Sequence, residues 1–287
     1  MSPPAPFGPV IDTRPLFPRE RELLLDLPAG LERDEWSAPT VCPGWDVHDV
    51  AAHVLHDYTR RLSGSRDGHR GPPFGGGESL AEFIHRTNGE FVAVARHLSA
   101  EVIVDHLAHF GPQIDALWAG ANLDGPAALD VPWASDARPT PAWLDVARKY
   151  TEFWVHQQQI RDAVGRPGAD GPDLAGPVID AFARALPKAL AGLERPDGTA
   201  VEIEVPGAGG GVWTAAAGQG RWGLYRGRGP ESAARVVIGQ GDFWRLATRG
   251  IGPGEARGRA GGGCGRVNCG RRPRRVCCRP AGRRCRR

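Results

Sequence analysis

The sequence predicts an α+β protein in which a bundle of helices comes first and a small α+β domain follows. Between Leu16 and Val164, apolar residues recur at the three- and four-residue spacing of amphipathic helices. From Ala200 onward the pattern changes to short alternating runs such as Val201–Val205, separated by Gly-rich turns and typical of strands. Long amphipathic helices joined by loops form a four-helix bundle, and such a bundle can hold a metal ion between facing helices.

The helices of the bundle are predicted from their periodicity and from the residues that bound them. Asp46 has the side chain of an N-cap, and Asp49 adds negative charge to the same first turn. Pro141 suits the first turn of the last bundle helix, which should end before Gly165. The predicted helical segments are Leu16–Leu27, Val47–Leu62, Ser79–His97 with its continuation Ala100–Leu123, and Pro141–Val164.

The loops and the second half of the chain follow from turn and strand signals. Gly and Pro dominate residues 63–77 and recur in 125–141, so both stretches are predicted loops and candidate lids. The run Gly207–Gly211 lacks the Lys-Ser/Thr of a phosphate-binding loop and is predicted to be a hairpin turn. The remaining predicted elements are a fifth helix (Leu174–Gly192), strands Val201–Val205, Val212–Thr214, Arg221–Tyr225 and Ala234–Ile238, and a short helix (Asp242–Thr248).

These patterns divide the chain into four predicted parts. Residues 1–15 are Pro-rich and expected to be disordered, 16–168 form the bundle, and 169–250 form the α+β domain. Residues 251–287 form an Arg/Gly/Cys-rich tail with few apolar residues, which is also expected to be disordered. A GC-rich gene read out of frame from about residue 258 would encode this mixture, so a frameshift is one interpretation of the tail.

Charge and cysteine usage separate the tail from the body. From Ile251 onward lie 12 of the 36 basic residues and one of the 33 acidic residues, so the first 250 residues carry a net charge of −8. We therefore expect no nucleic-acid binding through the body. No apolar run has the length of a membrane span, and the N-terminus lacks a secretory signal, so we expect a cytoplasmic protein without a membrane partner. Cys42, alone in the body, is interpreted as a small half-buried residue, with a nucleophilic or redox role left open.

One pair of residues on the last bundle helix suggests a site. Glu152 and His156 are four residues apart, so a helix places both on one face. Phe153, Trp154 and Val155 surround them, which favours a buried helix, where a carboxylate and an imidazole need partners. A shared cation would satisfy both. The same spacing also occurs in ordinary pairs on helix surfaces.

A second stretch, earlier in the chain, makes the sequence resemble a known family. Pro43-Gly44-Trp45, followed by Asp49 and His53 and much later by Glu152-x-x-x-His156, resembles the mycothiol-dependent maleylpyruvate isomerase family. The resemblance covers about residues 17–167 and, more loosely, 201–248. It implies an N-terminal DinB-like four-helix bundle followed by a small α+β domain similar to sterol-carrier domains. It also implies a divalent metal, usually zinc, bound by His53, Glu152 and His156.

The resemblance further implies thiol chemistry. The protein would be an isomerase or thiol transferase that uses mycothiol and acts on a small electrophile such as maleylpyruvate. Arg148, Arg161 and Arg166 are candidate clamps for a substrate carboxylate, or solvated residues on the outer face. Gln159 departs from the family, which often has an acidic residue there. This departure favours the alternative of a non-catalytic metal-binding bundle serving as a regulatory or ligand-binding module. The sequence does not predict the oligomeric state.

Overall fold

The computed structural model describes residues 8–128, 131–134, 139–229 and 231–260, and it places helices first and a four-stranded sheet after them. The predicted fold class is therefore confirmed. The helices are α1 (Phe17–Asp26), α2 (Val47–Arg61), α3 (Leu80–Ala95), α4 (Ala100–Ala119), α5 (Ala142–Val164), α6 (Pro172–Ala183), α7 (Leu186–Leu190), α8 (Gln240–Ala247) and α9 (Pro253–Ala260). The strands are β1 (Ala200–Val205), β2 (Gly211–Gly218), β3 (Arg221–Arg226) and β4 (Ala234–Val237).

Helix α2 lies at the centre of the helical region and contacts α3, α4 and α5. It begins with the predicted cap, because the Asp46 carboxylate accepts a hydrogen bond from the Asp49 backbone N–H at 2.9 Å. The Asp49 carboxylate accepts in turn from the Asp46 N–H, which completes a capping box. At its other end α2 continues into a π-helical turn over Leu62–Arg66. The capping box therefore defines where α2 begins.

Helix α5 is buried on most of its circumference, as its apolar composition predicts. Tyr150 and Trp154 are both 0% exposed. The Tyr150 hydroxyl donates to the Leu174 carbonyl at 3.1 Å and so ties α5 to α6. The helix ends at Gly165, whose φ of +64° places it in the left-handed conformation of a C-cap. Contacts with α1, α2 and α6 make α5 the element that joins the two halves of the fold.

The sheet has the strand order β3-β2-β1-β4, with β1 antiparallel to β2 and parallel to β4. Trp213 on β2 donates its indole N–H to the Asp180 carboxylate of α6 at 2.7 Å. Trp244 of α8 packs edge-on against Trp154 of α5, with ring centroids 5.7 Å apart. One hydrophobic core consequently runs from Phe17 to Trp244. The division of the chain at residue 168 stays a prediction, since apolar packing continues across it.

The structure corrects the predicted disorder at both ends. Residues 8–15 are ordered against the helices, because Ile11 is 8% exposed and packs in a cluster with residues of α5. The predicted disorder from residue 251 is wrong as far as Ala260, since Ile251 and Ala256 are each 6% exposed and residues 253–260 form α9. The predictions for 1–7 and for 261–287, the frameshift included, lie outside the described residues.

Two other boundaries differ from the predictions. The predicted helix Leu174–Gly192 is divided into α6 and α7, and Pro187 lies at the start of α7. Pro187 has no backbone N–H to donate to the carbonyl of Ala183, the last residue of α6, which accounts for the division. Helix α4 stops at Ala119, before Gly120, four residues earlier than predicted. None of the helices in the described part of the chain combines the length and the apolar character needed to cross a membrane.

Candidate metal centre

Helices α2 and α5 bring His53, Glu152 and His156 together. One potential ligand atom from each residue lies within 4.8 Å of the other two. The Nε2 atom of His53 lies 3.8 Å from the Oε1 atom of Glu152. The two imidazole rings meet edge to face, with centroids 4.7 Å apart. Ligand atoms around a tetrahedral zinc ion are separated by about 3.3 Å, as follows from bond lengths of about 2.0–2.1 Å. The three side chains therefore need only small shifts to surround one cation.

The state of the two histidines also fits a cation. Burial, helped by the neighbouring His156, lowers the pKa of His53 to about 3. Burial likewise lowers the pKa of His156. Both rings are therefore neutral near pH 7, which is the form that binds metals. The Nδ1 atom of His53 is buried and has no hydrogen-bond partner among the described residues, a situation that is usually unfavourable. The donor set of two imidazoles and a carboxylate suits zinc and related divalent ions.

Gln159 orients His156. The amide oxygen of Gln159 lies 2.8 Å from the His156 Nδ1 atom, and it also accepts a hydrogen bond from the Cys42 thiol at 3.3 Å. An amide oxygen can only accept, so His156 carries its proton on Nδ1 and presents the lone pair of Nε2. Cys42 is half-buried, and burial raises the pKa of its thiol. That environment supports the interpretation of Cys42 as a small packing residue, since a raised pKa disfavours the thiolate.

The Pro-Gly-Trp motif provides one wall of the site. Gly44 has a φ of +76°, which lets the chain turn sharply before α2. The turn is closed by a hydrogen bond from the Trp45 N–H to the Cys42 carbonyl at 3.0 Å. The Trp45 ring then lies against His53, with centroids 5.2 Å apart. The motif therefore places an aromatic ring beside the most buried of the three side chains.

This geometry agrees with what the chain resembles among known proteins. The family model described as the mycothiol maleylpyruvate isomerase N-terminal domain matches residues 17–161, just over half of the chain. The chain belongs to that family. The family predicted from the motifs is thus confirmed, and the matched region contains all three residues of the candidate centre.

Solved structures show the same fold. One, described as mycothiol-dependent maleylpyruvate isomerase, has a TM-score of 0.51 and 12% identity, covering 83% of this chain and 88% of that one. Another, a histidine-to-alanine mutant of mycothiol-dependent maleylpyruvate isomerase, has a TM-score of 0.52 and 12% identity, covering 85% and 90%. At this identity the likeness concerns the fold alone. No curated protein matches the sequence.

A buried ion-pair network lies behind Glu152, and the sequence patterns did not predict it. The Nζ atom of Lys149 donates to Asp57 on α2 and to Glu152 on α5, both at 2.7 Å. Arg148 adds a contact of 3.7 Å to the same Glu152 oxygen and pairs with Asp145. A sequence signal existed, because Asp57 follows His53 by four residues and Lys149 precedes Glu152 by three, which places each beside a ligand candidate on its helix.

The three candidate arginine clamps have different positions. Arg148 lies beside Glu152, but its guanidinium is already paired with carboxylates. Arg161 donates to the Leu23 carbonyl at 3.0 Å, which directs it towards α1. Arg166 pairs with Glu35 at 2.6 Å. The structure therefore brings Arg148 to the candidate centre and does not bring Arg161 or Arg166 there.

A second group of possible ligands comprises Asp46, His48 and Asp49. The side chains of all three residues already have structural partners. Asp46 caps α2, and Asp49 forms an ion pair of 2.7 Å with Arg96. The His48 Nε2 atom lies 3.1 Å from the Leu98 carbonyl. This group is accounted for by the capping and attachment of α2.

Proposed function

We propose that this protein is a zinc-dependent enzyme that uses mycothiol to isomerise a small electrophile such as maleylpyruvate, or to transfer the thiol to it. The chain belongs to a family of mycothiol-dependent isomerases, so it is an enzyme of the isomerase or transferase type. The observation that carries the finer proposal is the convergence of His53, Glu152 and His156 within 4.8 Å. Three protein ligands and an open fourth position are typical of catalytic zinc, whereas structural zinc has four protein ligands.

The chain's own residues have separate roles in this proposal. His53 and His156 supply neutral imidazole lone pairs, and Glu152 supplies one negative charge. A divalent cation held there carries a net charge of about +1, which favours ionisation of a nearby thiol and so creates the nucleophile. The Glu152 side chain is 27% exposed and that of His53 only 8%. The open face of the site is therefore on the Glu152 side, where a small thiol can approach, while Trp45 shields His53 from water.

Metal content and thiol dependence test the proposal. Purified protein should contain about one zinc per chain and should convert maleylpyruvate only when mycothiol is supplied. His156→Ala should lose both metal and turnover. His106→Ala, which changes an exposed histidine on α4, is the matched control and should keep both.

Calorimetry of mycothiol binding in two buffers of different ionisation enthalpy adds a measurement independent of turnover. Binding should release a proton and should strengthen as the pH rises towards the free thiol pKa of about 8.5. Metal without any metal-dependent thiol binding would instead favour the non-catalytic binding module. Full metal occupancy in His156→Ala would show that the ligand assignment is wrong.

A further inference from the structure

Lys149 is a fully buried lysine in a chain whose basic residues are almost all arginine. The chain has only two lysines among 36 basic residues, and Lys149 is 0% exposed. Its ammonium group lies between two carboxylates, Asp57 and Glu152, at 2.7 Å from each. A compact ammonium can donate to two oxygens from one nitrogen atom, whereas the five N–H donors of arginine are distributed over the three nitrogen atoms of a planar guanidinium. The position therefore suits lysine specifically.

Lys149 gives the two oxygens of the Glu152 carboxylate different contacts. The Oε2 atom accepts the hydrogen bond from Lys149. The Oε1 atom is the one that faces His53, at 3.8 Å from Nε2. Rotation of the carboxylate is opposed by this bond and by Arg148, whose Nη1 atom lies 3.7 Å from Oε2. Only one oxygen of Glu152 is thus free to face the two histidines.

Asp57 holds the lysine itself. Asp57 is 2% exposed and lies on α2, one turn after His53, whereas Lys149 and Glu152 lie on α5. The series Asp57–Lys149–Glu152 therefore connects the two helices that carry the candidate ligands. Buried charges persist when they are paired and hydrogen-bonded, and such partners orient the groups that bind a metal. The connection keeps the distance between the His53 half and the Glu152 half of the site constant.

We propose that Lys149, anchored by Asp57, is a positioning residue that makes Glu152 a ligand through Oε1 alone. A carboxylate that bound through both oxygens would take an additional position on the cation, the one a thiol would otherwise occupy. By retaining Oε2, Lys149 keeps that position open. The inference rests on the proposed function, since it concerns the same cation.

The test uses the full chain loaded with Co²⁺, whose d–d absorption reports the number and geometry of its ligands. Lys149→Met alone would remove the ammonium shared by the Asp57 and Glu152 carboxylates and leave the site one positive charge short, so the main variant is the charge-balanced Asp57→Asn/Lys149→Met. The matched control is Asp49→Asn/Arg96→Met, which removes a second ion pair of α2, between the buried Asp49 and the exposed Arg96 at the end of α3. Both variants should lower the melting temperature, so a loss of stability alone does not distinguish them.

The proposal requires a change at the cation in the main variant only. The tetrahedral Co²⁺ band should weaken and shift, because Glu152 can then bind the cation through both oxygens, and mycothiol affinity should fall about 10–100-fold. The control should keep the wild-type spectrum and affinities. If the main variant does not fold, the single variant Asp57→Asn provides the test. It keeps Lys149 but removes the carboxylate that anchors it, and it should shift the Co²⁺ band in the same direction. Wild-type spectra and mycothiol affinity in the folded variants would overturn the role of Lys149. Failure of the wild-type protein to bind Co²⁺ would instead overturn the proposed function.

Discussion

Replacing Glu20 by glutamine is expected to remove a large part of the pH dependence of this protein's stability. Glu20 lies on α1 and is 1% exposed. Gln157 of α5 donates to its Oε1 atom at 3.0 Å, while its Oε2 atom is buried without a partner among the described residues. Burial, with a smaller contribution from Asp115, raises the pKa of Glu20 from 4.5 to about 8. The folded protein therefore holds this carboxyl in its neutral form near pH 7.

The sign and the size of the effect follow from the proton balance. Between pH 4.5 and about 8 the folded state keeps the Glu20 proton and the unfolded state releases it. Stability is therefore fully present below pH 4.5 and is lost as the pH rises through about 8. The loss approaches about 1.4 kcal/mol for each pH unit, so the whole interval corresponds to about 5 kcal/mol as an upper limit. Glu20→Gln stays neutral throughout and can keep the acceptor for Gln157, so its free energy of unfolding should not show this slope.

Urea denaturation followed by tryptophan fluorescence, at pH 5, 6, 7 and 8, measures the difference. The free energy of unfolding of Glu20→Gln should rise relative to wild type at each step, by up to about 1.4 kcal/mol. Glu22→Gln, an exposed glutamate of the same helix, is the control and should run parallel to wild type. Parallel curves for Glu20→Gln and wild type would refute the reasoning, because they would mean that Glu20 has the same pKa in both states.

Two further predictions concern Gln159 and α9. Gln159→Leu removes the acceptor for the His156 Nδ1–H, so zinc affinity measured by chelator competition should fall about 10–100-fold. Gln159→Glu keeps an acceptor and should keep most of that affinity, and equal affinities in both variants would contradict the orienting role. Truncation after Gly250 should give a free energy of unfolding about 2–3 kcal/mol lower than truncation after Ala260, because Ile251 and Ala256 lose their buried positions. The urea midpoint of the shorter chain should be lower accordingly. Identical urea midpoints would show that α9 contributes nothing to stability.

Local signals in the sequence were sufficient for most of the secondary structure. The cap at Asp46 and the left-handed Gly165 depend on contacts within a few residues, so they can be predicted without the fold. The pairing of Glu152 with His156 is likewise a consequence of helix periodicity. The family was recognisable because two short motifs, near residues 43–53 and 152–156, stand at a characteristic separation.

The partners of these residues were decided only by the tertiary structure. Gln159 acts on His156 together with Cys42, which is 117 residues away, and Lys149 reaches Asp57 across 92 residues. Periodicity places a side chain on a face of its helix, but it does not specify which residue of another helix will lie opposite. The same reason explains the ends of the described chain, where Ile11 and Ile251 are ordered by apolar surfaces formed elsewhere. A Pro-rich or Arg-rich composition indicates that a segment cannot build a core alone; it does not indicate whether a single apolar residue will join a core that other segments have built.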